Sequence, residues 1–201
     1  IRQSLVGSEM CIRDRNATWY SIEWTDIQVS QFDPVHVNFI TFIENAADAD
    51  ISGLEADMLY YPSDSLTISA AISLNDTEIV NDVAQTIPIV DIGNPLPLAP
   101  KRQGNVRIRK DLSSNQSYFQ AAVKYASSTY NSFEAAKVLD QSAYTIVDFA
   151  YGLTINDVDV EFFIRNANDE RANLYYNDQD DIPRITTNRP RNMGVRMSYR
   201  F

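Results

Sequence analysis

The chain has 201 residues, 44% of them hydrophobic and 22% charged, with a formal net charge of −10. That apolar content is too high for a disordered chain, yet no apolar run reaches the ~18 residues that a membrane-crossing helix needs. An acidic excess of this size argues against DNA or RNA as a partner, because nucleic-acid binding calls for a basic footprint.

In chain order, the first residues stand apart. Ser4 to Arg15, "SLVGSEMCIRDR", shows no strand alternation, and it lacks the apolar centre and small-residue cleavage site of a signal peptide. From Leu5 on it resembles the translation of a sequencing adapter. Residues 1–15 are therefore expected to be an artefact, and 16–201 the authentic part. Cys11, the only cysteine, falls in the first part, which leaves no disulfide, thiolate metal site or thiol nucleophile in the second. Taking Arg2, Arg13 and Arg15 from the 17 basic residues, and Glu9 and Asp14 from the 27 acidic ones, leaves 14 against 25, a net −11.

From Ala17 the sequence alternates with period two, the pattern of half-buried strands. The first strand is predicted over Thr18 to Val29, with Tyr20, Ile22 and Trp24 on one side. After a loop containing Pro34, a longer stretch ends with Leu54, Ala56, Met58 and Tyr60 alternating against Gly53, Glu55, Asp57 and Leu59. A tight turn over Pro62 to Ser65 leads into Leu66 to Leu74. Pro88, Pro95, Pro97 and Pro100 mark a stiff connector before the fourth strand, Asn105 to Leu112, where Val106 and Ile108 oppose Arg107 and Arg109. Further strands are predicted over Tyr118 to Ser127, Ala143 to Leu153 and Val158 to Arg165. The last runs from Asn192 to Phe201, with Met193, Val195, Met197, Tyr199 and Phe201 on one face.

These eight segments approach the length of about 9–11 residues with which a tilted strand crosses a bilayer. Short connections at Pro62 to Ser65, Ser113 to Ser117 and Ile155 to Asp157 alternate with long ones near Ser30 to Val37, Val80 to Arg102, Thr129 to Gln141 and Asn168 to Arg191. Outer-membrane barrels combine short periplasmic turns with long outer loops in this way, whereas the strands of a β-sandwich tend to be shorter and their loops less regular. The fold class read from the pattern is thus all-β, an antiparallel transmembrane β-barrel fragment. Tyr60, Tyr61 and Phe201 then fall at one rim, where aromatic girdles lie.

The ordered segments "WYSIEWTDIQVSQF", "NAADADISGLEADMLYYPSDSLTIS", "PLAPKRQGNVRI", "FFIRNANDE" and "RPRNMGVRMSYRF" span nearly all of Ala17 to Phe201. Together they resemble the C-terminal part of a TonB-dependent outer-membrane receptor; Ala167 stands where the family usually has Leu. The resemblance implies about the last eight strands of a barrel of about 22 strands, without its plug, in the outer membrane of a Gram-negative bacterium. It also implies uptake of a scarce nutrient, such as siderophore-iron, cobalamin or a glycan. The implied partners are the TonB complex, through a part of the receptor that precedes these strands, and the barrel-assembly machinery, through Val195, Met197, Tyr199 and Phe201. Outer-membrane lipid and a small-molecule ligand complete the set. Eight strands of a larger barrel are expected to leave two open edges. A passive or structural barrel, porin-like or a small eight-stranded one, is the alternative reading.

Glu55, Asp57, Arg107, Arg109, Glu161, Arg165 and Arg196 are expected to face the lumen, because a charge on the lipid face costs about 2–4 kcal/mol at mid-bilayer. As extracellular-loop contacts the sequence offers Tyr175 and Tyr176 for stacking, with Asp178, Asp180 and Asp181 as hard oxygen donors. The acidic spacing lacks the Gly and distal Glu of a Ca²⁺ loop, so a solvated acidic loop is the simpler reading. His36 is the only histidine, which excludes a multi-histidine metal site; no catalytic residues, metal or cofactor are expected, and the protein reads as a non-enzyme.

Overall fold

The computed structural model describes residues 13–33, 40–84, 89, 91–112, 116–135, 138–177 and 184–199. Eight antiparallel strands form one sheet: β1 (Arg13–Asp33), β2 (Ile40–Ser63), β3 (Leu66–Asp82), β4 (Arg102–Leu112), β5 (Ser117–Ala126), β8 (Tyr144–Ile155), β9 (Val158–Arg165) and β12 (Asn192–Tyr199). Each of these strands pairs with the next, so the sheet is an unbroken meander. Two small hairpins rise from the long connections: β6 (Thr129–Tyr130) with β7 (Asp140–Gln141), and β10 (Asn173–Asn177) with β11 (Arg184–Thr187). Among the described residues β1 and β12 do not pair, so the barrel is not closed.

Alternation finds the strands but understates the first three, which have 21, 24 and 17 residues. β3 continues past Leu74 through "NDTEIVND", where polar residues break the simple pattern. There Thr77 and Ile79 are buried while Glu78 and Val80 stay exposed. The alternation persists, but its inner side is covered by a loop, not by a second sheet. β1 likewise begins at Arg13, where Arg13, Asp14 and Arg15 pair with Tyr60, Leu59 and Met58.

Residues directly opposite each other in an antiparallel pair share a face. One row runs Thr18, Glu55, Ser73, Gln103; the next runs Asn16, Asp57, Ala71, Asn105, Lys124. The opposite face carries Ala17, Ala56, Ile72, Gly104 and Tyr125, and beside them Met58, Ala70, Val106 and Val123. The sheet therefore has one polar and one apolar face. On β1 the register places Tyr20, with Ile22 and Trp24 beyond it, on the polar side, while Trp19 points the other way and is 70% exposed. Period two groups side chains into faces; only pairing says which face is which.

The buried core is not at mid-sheet. Ile27, Ala46, Ala47, Ala49, Ile79, Ile89 and Leu96 cluster at the long-loop end. The proline-rich segment folds back there: Asn94 O accepts from Ile79 N at 2.8 Å, Gly93 N donates to Ile79 O at 2.8 Å, and Leu96 N donates to Thr77 Oγ1 at 2.9 Å. Tyr130 of β6 donates its hydroxyl proton to Pro95 O, and Leu98 N donates to Tyr130 O at 2.7 Å. The expected stiff connector is thus a covering layer that supplies the free edge of β3 with backbone partners.

Candidate functional site

All seven charged residues expected to share a face do so in register. Glu161 pairs with Arg196 across β9 and β12; Glu55 and Asp57 face Ser73 and Ala71; Arg107 and Arg109 face Ala122 and Gln120. Near the short turns, three of the seven form one cluster through a residue that alternation did not single out. The Tyr118 phenol donates to Glu161 Oε2 at 2.6 Å, and Arg196 Nη1 donates to Glu161 Oε1 at 3.0 Å. The Arg109 guanidinium lies 3.6 Å from the centre of the Tyr118 ring, a cation–π contact, and its Nε donates to Asp111 Oδ1 at 3.0 Å. The ring lies across Gly152, its cross-strand neighbour, where any Cβ would overlap it. Tyr20 over Gly53 and Phe163 over Gly194 repeat this arrangement on the same face. An aromatic ring lying over a glycine restores the packing that the glycine itself lacks.

A second cluster centres on Asp148, whose side chain is only 10% exposed. It accepts from the Asn166 amide at 2.8 Å and lies 3.7 Å from Arg165 Nη1 and 3.9 Å from Lys124 Nζ. Asp148 is the only carboxylate on β8, flanked on both sides by residues that read as apolar wall. That solitary charge in an apolar run is the signal the sequence carries for this cluster. Of the remaining expected residues, Asp57 accepts from Asn16 Nδ2 at 3.2 Å, whereas the side chains of Glu55 and Arg107 make no hydrogen bond or ion pair with a described residue. Glu55, Thr18, Gln103, Asn105 and Lys124 are among the residues lining a cavity of about 560 Å³.

Asp148 also ties the wall to the loop above it. Asn166, in the left-handed region at φ 51°, donates its side-chain amide to Glu170 O and Arg189 O at 2.9 Å each. Asn188 donates to Glu170 O at 2.9 Å and accepts from Ala172 N at 2.8 Å; Asp169 accepts from Arg191 N at 2.9 Å. That backbone hydrogen bond, helped by Arg171 and Arg191, holds the Asp169 carboxyl below its ordinary range. The "NANDE" stretch thus forms a clasp from which β10 and β11 project. Tyr175 on β10 is 44% exposed and Tyr176 is half-buried. Asp178, Asp180, Asp181, His36 and Phe201 lie outside the described residues. Val195, Met197 and Tyr199 are exposed on the apolar face, opposite Arg196. Among the described residues no group of three or more His, Cys, Asp or Glu side chains is placed to hold a metal ion.

A family model described as TonB dependent receptor-like, beta-barrel matches residues 16–167. Among solved structures, the chain is similar to the siderophore receptor PiuA from Acinetobacter baumannii, at 20% identity and a TM-score of 0.72, covering 92% of this chain and 25% of that one. It is also similar to the ferric yersiniabactin uptake receptor FyuA from Yersinia pestis, at 17% identity and a TM-score of 0.74, covering 94% and 28%. The ferripyoverdine receptor of the Pseudomonas aeruginosa outer membrane aligns at 11% identity and a TM-score of 0.67, covering 93% and 25%. The chain therefore spans about a quarter of the length of these receptors. Among curated proteins none matches the sequence.

Proposed function

The chain belongs to the TonB dependent receptor-like β-barrel family, and on that premise we propose that residues 16–201 form the C-terminal strands of an outer-membrane receptor for active nutrient uptake. In this reading the barrel has about 22 strands; the polar face lines its lumen and the apolar face meets lipid. The long-loop end faces outward, and TonB acts through a plug-bearing part that precedes these strands. The observation that carries the reading is the segregation of side chains. The seven charged residues lie on one face of an open eight-stranded meander, and the other face is apolar across the same strands.

The polar wall then offers two layers to a ligand. Tyr175 and Tyr176 on β10 form the entry, the cavity beside Glu55 and Lys124 lies deeper, and Asp178, Asp180 and Asp181, next in the sequence, are further candidate contacts. Ionic and hydrogen-bonding groups of both signs suit a polar solute such as an iron chelate, a cobalamin or a glycan. Val195, Met197 and Tyr199 alternate along β12 and, with Phe201 next in the sequence, match the pattern that the assembly machinery reads.

The test is solute uptake by cells carrying the intact gene or its deletion, each with and without functional TonB, offered radiolabelled ferric chelates, cobalamin and oligosaccharides in turn. Uptake of one solute that needs both gene and TonB supports the proposal. Uptake that needs the gene but persists without TonB assigns a passive barrel instead, and the absence of any gene-dependent uptake assigns a structural one.

A further inference from the structure

Two rows of the polar face lie side by side in the half nearer the long loops. The outer row holds Thr18, Glu55, Ser73, Gln103, Ala126 and Tyr144 on successive strands, and the inner row holds Asn16, Asp57, Ala71, Asn105 and Lys124. Both rows line the cavity of about 560 Å³. From Thr18 to Gln103 is three strand spacings, roughly 14 Å. The side chains of Thr18, Glu55, Gln103 and Asn105 are exposed there and make no hydrogen bond or ion pair with a described residue. A hydroxyl, a carboxylate and two amides thus stand ready in one patch.

Aromatic rings frame the patch. Tyr144 ends the outer row, and Tyr20 stands one step further out on β1. The Tyr20 ring lies across Gly53 and its hydroxyl donates to Asn75 Oδ1, which also accepts from Ser73 Oγ at 3.2 Å. Held at both ends, the ring is fixed flat against the wall with its other side toward the lumen.

Cations are scarce at this level. In the two rows Lys124 alone is basic, and it lies 3.9 Å from Asp148, whose carboxylate offsets it. Glu55 and Asp57 remain. Arg107 and Arg109 come later on β4, toward the short turn, and Arg196 is bonded to Glu161. An anionic chelate placed against these rows would meet two carboxylates at close range, with one cation already engaged.

We propose, on the receptor reading given above, that this part of the wall binds a neutral oligosaccharide. Sugar hydroxyls sit in neighbouring pairs that donate and accept. A carboxylate or primary amide, with two polar atoms in one plane, engages such a pair at once. Hydrogen bonds to the Glu55 carboxylate are charge-assisted and roughly twice as strong as neutral ones. The C–H side of a sugar ring needs an apolar surface beside those polar groups, and the flat Tyr20 ring supplies it.

The test uses the full-length receptor in mild detergent, with heat-modifiable gel migration to report barrel insertion. Calorimetric titration follows with maltohexaose, cellohexaose, laminarihexaose, ferric citrate and cyanocobalamin. One of the hexasaccharides is expected to bind, with an affinity that does not change between low and high salt, because the ligand is uncharged. Glu55→Ala should weaken it about tenfold and Gln103→Ala about threefold, the sizes expected for a charged and a neutral hydrogen bond. Glu55→Gln should restore part of the loss, since an amide oxygen still accepts from hydroxyls. An inserted receptor that binds ferric citrate or cyanocobalamin instead, or none of the hexasaccharides, overturns the site. So does hexasaccharide binding that is equal in all variants. A receptor that never inserts overturns the membrane reading, and hexasaccharide uptake that persists without TonB overturns active transport while leaving the site in place.

Discussion

At the long-loop end of β1 to β3, Ile27, Ala47, Ala49 and Ile79 are buried under Leu96 and Ile89, whereas on β4, β9 and β12 not one described residue is buried. The first region is built like part of a water-soluble domain: apolar side chains from strands and loop exclude water from one another. The second is a wall one sheet thick, held by its backbone ladder, with one polar and one apolar face. A strand in a bilayer satisfies its backbone through its neighbours and can leave its apolar side chains to the lipid. A strand that continues into water cannot. The extra residues of β2 and β3 therefore need cover, and the proline-rich segment supplies it.

Four substitutions or conditions would break or sharpen this contrast. Ile79→Ala should have the largest effect, about 2–5 kcal/mol as for other buried aliphatic truncations. Hydrogen exchange in the full receptor would show it as lost protection over 91–101, with the ladder of β9 and β12 unchanged; equal protection would mean that the cluster does not hold the loop. Asp148→Ala should come next, about 1–3 kcal/mol, because it strips a partner from the Asn166 amide, Arg165 and Lys124 together. Faster exchange across 173–187 is the expected sign, and an unchanged hairpin would detach the clasp from the wall.

The third test uses pH. Burial raises the Tyr130 phenol from its ordinary value to about 12. The folded state thus holds the proton more tightly than the unfolded state, whose phenol titrates near 10. The stabilisation is complete below pH ~10, falls as pH rises, and is gone once pH passes the folded value. Tyr130→Phe should abolish that alkaline loosening of the loop around Pro95 and Leu98; a matching alkaline loss in the variant would place its cause elsewhere. The smallest effect belongs to Glu161→Gln on the wall. Its ion pair with Arg196 is partly solvated, and such pairs contribute about 0.2–1 kcal/mol. A urea midpoint shift beyond that range would mean that the Tyr118 cluster is far better shielded than its exposure indicates.

Much of this architecture was legible in the residues. Eight alternating segments, their order, the short and long connections and the common face of Glu55, Arg107, Glu161 and Arg196 all follow from a period of two, because successive strand side chains point to opposite sides. The terminal alternation through Tyr199 was equally plain. Glu161 and Arg196 lie 35 positions apart, yet parity alone assigned both to the same side.

What alternation could not reach was anything that depends on register or on a loop folding back. Tyr118 gained its role only when β5 was set against β8 and Gly152 came to lie beneath its ring. Asp148 became a node only when β5, β9 and the clasp met around it. The face carrying Tyr20, Ile22 and Trp24 was named only once Tyr20 stood opposite Gly53. The proline-rich stretch resembled a connector because its burial partners, Thr77, Ile79 and Tyr130, come from other parts of the chain. The sequence by itself determined which residues alternate, since that is a local steric property of the extended backbone. Tertiary structure alone decided which of them meet, since pairing register and loop return are set by contacts between segments far apart in the chain.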